Sequence, residues 1–278
     1  MNQKNETYQF QDDDLHEQII AMDNVLATKS TKFTIDEQRL FYITLASIKP
    51  NQKSNEIEIS KKAMFNMLGF TSHSNYSRIR QMFKKLAFAS WIEFGDDEIF
   101  DDGFLFSAIR TTKTKVYVKV TEKYIPLLIK LQPGFTRLLS DDAISFTSKF
   151  SMILYQQLMR LNNKGDYGVG FTTKELKTLF GLSKEDYMSG GRFDRYNFER
   201  KTINLAIKDI NDKSKCIQNL RYEKRKKNGR VQGYVFFFDY TDPNEFRTTY
   251  NSDKESSSEH ATAEEIAELR KMIDELHS

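Results

Sequence analysis

The sequence predicts an α+β fold of two tandem units, each a helix-turn-helix with a β-wing after it. Two observations predict it. The first is an internal repeat. Ile59-Ser60-Lys61-Lys62-Ala63-Met64-Phe65-Asn66-Met67-Leu68-Gly69-Phe70 aligns without a gap on Phe171-Thr172-Thr173-Lys174-Glu175-Leu176-Lys177-Thr178-Leu179-Phe180-Gly181-Leu182. Each copy reads as a strand end, a hydroxyl N-cap, a short amphipathic helix and a Gly stop. The second is the order of elements after each copy: a loop, a basic helix, then strands. Two such winged-helix units in one chain point to bipartite DNA binding rather than to an active site.

Residues 1–21 are polar and acidic and are expected to be flexible. Thr34 and Glu37 have the spacing of a capping box, opening a helix through Arg39–Ile48 that stops near Pro50. That helix is apolar nearly all round, so it belongs in a core. Glu56–Ile59 alternates as a strand and leads into the first repeat copy. Tyr76–Ala89 is the next helix. Ile79, Met82, Phe83, Leu86 and Ala87 form its inner stripe; Arg78, Gln81, Lys84 and Lys85 lie outside it and are candidate DNA contacts. A meander begins at Trp91, with turns at Asp96-Asp97 and Asp101-Asp102-Gly103 and strands Phe104–Arg110 and Lys115–Val120. Tyr124–Leu131 is a short helix ended by Pro133-Gly134. The first unit is thus 22–133 and the second 134–250, with a junction between Gln132 and Phe146 near the polar Ser140-Asp141-Asp142.

The second unit opens with a helix, Lys149–Leu161, closed by Asn162-Asn163-Lys164-Gly165. A strand, Val169–Phe171, leads into the second repeat copy, and Ser189-Gly190-Gly191 is a flexible loop. Arg195–Asn211 is the candidate recognition helix. Phe198, Thr202, Ile203, Ala206, Ile207 and Ile210 share one side. Asn197, Arg200, Lys201, Asn204 and Lys208 share the other, an assortment suited to DNA: Arg for guanine or phosphate, Asn for adenine, Lys for phosphate. Arg195 joins them as a candidate contact. The wing is the sharpest local signal. Arg221–Arg230 holds six basic residues and one acid. Asn228-Gly229 asks for a type I′ hairpin, because both central positions need positive φ. Like charges at a tight tip repel one another unless a polyanion neutralises them. Lys224, Arg225, Lys226, Lys227, Asn228 and Arg230 are therefore candidate phosphate or groove contacts. The first unit's wing, around Gly95–Gly103, is acidic, so the two units have different roles.

Bulk properties agree. A chain of 278 residues suggests about two domains, and 22 Phe and 13 Tyr supply two cores. The net charge is +3, but residues 1–21 carry −4 and residues 251–278 carry −5, so residues 22–250 carry +12. A basic body with acidic ends suits a polyanion ligand. Residues 251–258 are a Ser/Asn/acid-rich linker. Thr262-Ala263-Glu264-Glu265 opens a short amphipathic helix bearing Ile266, Leu269, Ile273 and Leu276.

Catalytic and cofactor motifs are missing. Gly165 and Gly170 have the outer spacing of a nucleotide-binding loop, but Phe171 comes next where Lys is needed. The four histidines, His16, His73, His260 and His277, are scattered, which argues against a metal-dependent nicking site. The Asp pairs read as turn formers. Neither a metal nor another cofactor is expected, and the chain is not expected to be an enzyme. No apolar run is long enough for a membrane span, and Met1–Glu6 does not begin a signal peptide. One cysteine, Cys216, fits a reducing cytoplasm and a small buried thiol.

Three stretches resemble the initiator replication proteins of theta-replicating plasmids. They are Asn24-Val25-Leu26-Ala27 with Asp36-Glu37-Gln38-Arg39-Leu40; Phe150-Ser151-Met152-Ile153-Leu154-Tyr155; and Asn197–Asn211 with the basic hairpin after it. The resemblance covers roughly residues 22–240. Similar proteins carry an aliphatic residue where Thr202 stands and often Pro where Leu205 stands. The resemblance implies that the second unit reads directly repeated origin sites (iterons). It implies that the first contributes to dimerisation and auxiliary DNA contact; Val116, Val118 and Val120 are the residues expected at the dimer contact. Monomers would open the origin, and dimers would repress the protein's own promoter. A host initiator and the replicative helicase are the further implied partners.

Overall fold

The computed structural model describes residues 15, 18–29, 33–49, 52, 54–70, 76–93, 101–128, 135–161 and 168–246. The Asp96-Asp97 turn, Pro50, Pro133-Gly134, the 162–165 turn and the acidic linker and helix of 251–278 lie outside them, as does most of 1–17.

The chain runs β1 (Ile19–Asp23), α1 (Asn24–Lys29), α2 (Ile35–Ala46), β2 (Glu56–Ser60), α3 (Lys61–Met67), α4 (Tyr76–Ala89), β3 (Trp91–Ile92), β4 (Gly103–Phe104), β5 (Phe106–Thr111) and β6 (Lys115–Val120). A 3-10 turn, Glu122–Leu127, leads to β7 (Phe135–Leu139), α5 (Ser140–Ser145) and α6 (Lys149–Leu161). Then come β8 (Val169–Thr172), α7 (Thr173–Leu179), β9 (Met188–Ser189) and β10 (Arg192–Phe193). The rest is α8 (Arg195–Phe198), a π turn (Glu199–Ile203), α9 (Asn204–Lys213), β11 (Ile217–Lys227), β12 (Arg230–Tyr240) and a 3-10 turn at Pro243–Phe246.

The two repeat copies fold alike. The Ser60 hydroxyl accepts from the Ala63 N–H (3.3 Å), and the Thr172 hydroxyl accepts from the Glu175 N–H (3.1 Å). The Glu175 carboxylate accepts in turn from the Thr172 N–H, completing a capping box. At the other end Phe70 N–H donates to Phe65 O and Leu182 N–H to Lys177 O, both at 2.9 Å. Gly69 and Gly181 sit between at φ +68° and +65°. This is the six-to-one closure that a left-handed glycine makes possible.

Each unit packs its helices on a three-stranded antiparallel sheet. In the first, β6 lies between β2 and β5; in the second, β12 lies between β11 and β8. On α4 the stripe Ile79, Met82, Phe83 and Leu86 is buried, each contributing about 1.5–3 kcal/mol of apolar burial. Val116, Val118 and Val120 have no exposed surface at all. This corrects the dimer assignment: β6 is the central strand, and its valines fill the first unit's own core.

The junction is not a linker. β1 pairs antiparallel with β7, from Ile19 opposite Leu139 to Asp23 opposite Phe135. Residues 19–21, expected to be flexible, are therefore strand. Side chains add to this tie. Gln156 on α6 accepts from the Tyr42 hydroxyl (2.6 Å) and the Gln38 amide (3.3 Å) of α2, and donates to Ala27 O. Arg39 donates to Phe146 O at 2.7 Å. Asp141 and Asp142 are not turn formers. They open α5, and Asp142, fully buried, accepts from the Ser214 hydroxyl (2.5 Å), Lys215 N–H (2.8 Å) and Cys216 N–H (3.0 Å). Cys216 is buried too, and burial pushes its thiol well above the ordinary range.

Candidate nucleic-acid interface

The recognition segment of the second unit runs as one helix from Arg195 to Lys213 with a π turn inside it. A fully buried threonine, Thr202, sits in that turn and donates its hydroxyl to Phe198 O at 2.6 Å. Hydrogen bonding back by four residues bends helices, and it satisfies the hydroxyl where an aliphatic residue would simply pack. The inner side is Phe198, Thr202, Ile203, Ala206 and Ile210, all buried, with Ile207 half-buried. On the outer side Arg200, Lys201, Asn204, Leu205 and Lys208 are exposed.

Several predicted contacts serve local structure instead. Asp194 caps the helix, accepting from the Asn197 N–H (3.0 Å) and the Asn197 amide (2.6 Å). These bonds hold the Asp194 carboxyl below its usual range. The Asn197 oxygen then accepts from Arg200 Nη2 at 3.0 Å. Asn197 thus orients Arg200, whose guanidinium also lies 5.7 Å from the Tyr196 ring. Arg195 is half-buried, with its guanidinium 5.5 Å from the Phe193 ring. It faces the domain rather than the outer side.

The wing forms as its turn chemistry demands. β11 and β12 are joined by two residues, Asn228 at φ 51° and Gly229 at φ 72°. Pairing of β8 to β12 covers Gly233–Phe236 only, so the tip from Lys226 to Arg230 projects as a two-stranded ribbon. Arg225, Lys226, Lys227 and Arg230 are exposed, and no carboxylate pairs with them among the described residues. Lys224 differs. Its ammonium lies 2.7 Å from Glu199 Oε2, while the fully buried Tyr234 hydroxyl donates to Oε1 at 3.0 Å. Glu199, on the π turn, therefore joins the base of the wing to the recognition helix. Burial, with Glu199 beside it, pushes the Tyr234 hydroxyl well up, so it remains a donor.

In the first unit Gln81, Lys84 and Lys85 are exposed on α4. Arg78 is occupied: it lies 3.5 Å from Asp36 and 4.9 Å from the Phe70 ring. Arg80, which the helical spacing did not single out, is exposed on the same helix. Of the acidic wing, residues 94–100 lie outside the described region, and Asp101 pairs with Lys123. The two units thus present unlike surfaces on the same frame.

A family model described as Initiator Replication protein, WH1, matches residues 19–159, and one described as Initiator Rep protein, WH2, matches residues 172–238. The chain belongs to the initiator replication protein family. The first match runs through β7 and α5 into α6, the stretch that β1 and Gln156 tie to the first unit. Among solved structures, this chain is similar to the Pi initiator protein in complex with iteron DNA. The TM-score is 0.67 at 20% identity, over 81% of this chain and 98% of that one. Domains 2 and 3 of RctB align at TM-score 0.46 and 11% identity, over 77% and 82% of the two chains. Comparison with curated protein sequences finds no match. The chain's fold is therefore two tandem winged-helix domains. Among its described residues no helix is long and apolar enough to cross a membrane, and no group of His, Cys, Asp or Glu is placed to hold a metal ion.

Proposed function

We propose that this family member is a non-enzymatic plasmid replication initiator that binds repeated double-stranded origin sites sequence-specifically. One observation carries the reading: the outer face of the recognition helix stands beside a basic hairpin whose tip has no acidic partners among the described residues. Arg200, Lys201, Asn204 and Lys208 enter a major groove, and Arg225, Lys226, Lys227 and Arg230 grip flanking phosphate. Gln81, Lys84, Lys85 and Arg80 of the first unit supply auxiliary backbone contacts. The likeness to a protein described in complex with iteron DNA supports repeats as the target. Binding opens the origin and, at the protein's own promoter, represses transcription. Monomer and homodimer exchange through a surface that does not use the buried Val116, Val118 and Val120, and the host initiator and replicative helicase are recruited in the cytoplasm.

The test is a footprint on the DNA immediately upstream of the coding sequence, at two salt concentrations. Protection recurring about every two helical turns over direct repeats is expected. Protection of one palindrome alone would favour a dedicated repressor, and no protection at low salt would overturn the proposal.

A further inference from the structure

Large apolar side chains exposed on the second unit, among the described residues, are Met188, Tyr196, Leu205 and Tyr240. Three of these four lie in or beside the helix-turn-helix, where an aqueous surface gains nothing from them. Leu205 is the most telling. It is 43% exposed and does not join the core, although its neighbours Ile203 and Ala206 are fully buried. It stands next to Asn204, four residues after Lys201 and three before Lys208, all exposed. Residues three and four apart share one helix face, which places Leu205 with Lys201 and Lys208. An aliphatic group therefore sits amid the polar side chains of the face assigned to the groove.

We infer that Leu205 is a specificity-determining residue that packs on the 5-methyl group of a thymine in the bound repeat. The inference rests on the proposed origin binding. The chemistry of the major groove leaves one apolar target. Its floor presents hydrogen-bond donors and acceptors, and only thymine adds a methyl group. Against a donor or acceptor edge, the leucine would strip water and return no hydrogen bond, which costs free energy. Against the methyl group both surfaces leave water together. Leu205 thus favours thymine at one position, while its charged and amide neighbours contact phosphate and base edges.

The experiment uses the full chain and the repeat duplex defined by footprinting. Each thymine is replaced in turn by deoxyuridine, which deletes one methyl group and keeps the base pairing. Dissociation constants are measured for the wild type, Leu205→Ala and Leu205→Met. Wild type should lose about fourfold in affinity at one thymine position, the equivalent of one buried methyl. At that position Leu205→Ala should bind thymine and uracil duplexes equally, while Leu205→Met retains the preference. Leu205→Ala should melt like the wild type, because the site is exposed and alanine is a good helix former. The inference is overturned if no uracil substitution weakens wild-type binding, or if Leu205→Ala keeps the full penalty. If wild type binds the unmodified repeat no tighter than scrambled duplex, the origin-binding reading fails first and Leu205 has no base to read.

Discussion

Glu199 is where the recognition helix and the wing meet, and removing it has a consequence that can be worked from the two bonds. The residue is 7% exposed, accepts from the fully buried Tyr234 hydroxyl at 3.0 Å and pairs with Lys224 at 2.7 Å. In Glu199→Ala the Tyr234 hydroxyl loses its acceptor in a dry site, which costs about 1–3 kcal/mol. The Lys224 side chain is 38% exposed, so water takes over its ammonium and the lost ion pair adds only about 0.2–1 kcal/mol. The expected total is about 2 kcal/mol, dominated by Tyr234. Glu199→Gln keeps an acceptor for Tyr234 and surrenders only the ion pair, so it should cost less than about 1 kcal/mol. Urea unfolding of the full chain measures both. Hydrogen exchange along β11 should rise in Glu199→Ala first, because the wing is anchored there. If Glu199→Ala unfolds at the wild-type midpoint, or if Glu199→Gln is as damaging as Glu199→Ala, the helix–wing joint does not work through these two bonds.

Other outcomes rest on the same geometry. Lys226→Ala should weaken binding to all sequences alike and lower the salt slope by about 1, whereas Lys224→Ala should leave the slope near its wild-type value, its charge being matched by Glu199; equal slopes in the two variants would refute the distinction. Arg200→Ala should cost about 1–3 kcal/mol on the origin repeat and little on scrambled duplex, by competition binding, if the guanidinium reads a base. Asp209 accepts from Thr147 N–H (2.8 Å) and pairs with Lys213 (2.7 Å); burial opposes its charge, but Lys213 and the Thr147 N–H outweigh it and lower its carboxyl pKa. Being depressed in the folded state, it stabilises fully above the unfolded value of about 3.9 and loses that contribution as pH falls through the folded one. Asp209→Asn should therefore flatten the acid limb of a stability–pH curve. Gln156→Leu should cost about 2 kcal/mol or more in urea unfolding, because the Tyr42 hydroxyl loses its acceptor where α2 packs on α6.

Local chemistry made much of this molecule legible in its sequence. Hydroxyl caps, glycine stops and Asn228-Gly229 act within a few residues, so the repeat copies, α4, β6 and the wing turn are readable without a fold. Amphipathic spacing likewise separated Ile79, Met82, Phe83 and Leu86 from Gln81, Lys84 and Lys85. What only the tertiary structure decided depends on partners distant in the chain. β1 is a strand because β7 meets it more than a hundred residues later, and no local signal at Ile19–Asp23 announces that. Val116, Val118 and Val120 alternate correctly for a half-buried strand, but alternation cannot say what covers the apolar face, and here it is the unit's own core. Lys224 and Arg225 are adjacent and look alike in sequence, yet one faces the buried Glu199 carboxylate and the other faces solvent. Charge is written residue by residue; whether it is free to meet a phosphate depends on which carboxylates the fold brings within a few ångströms.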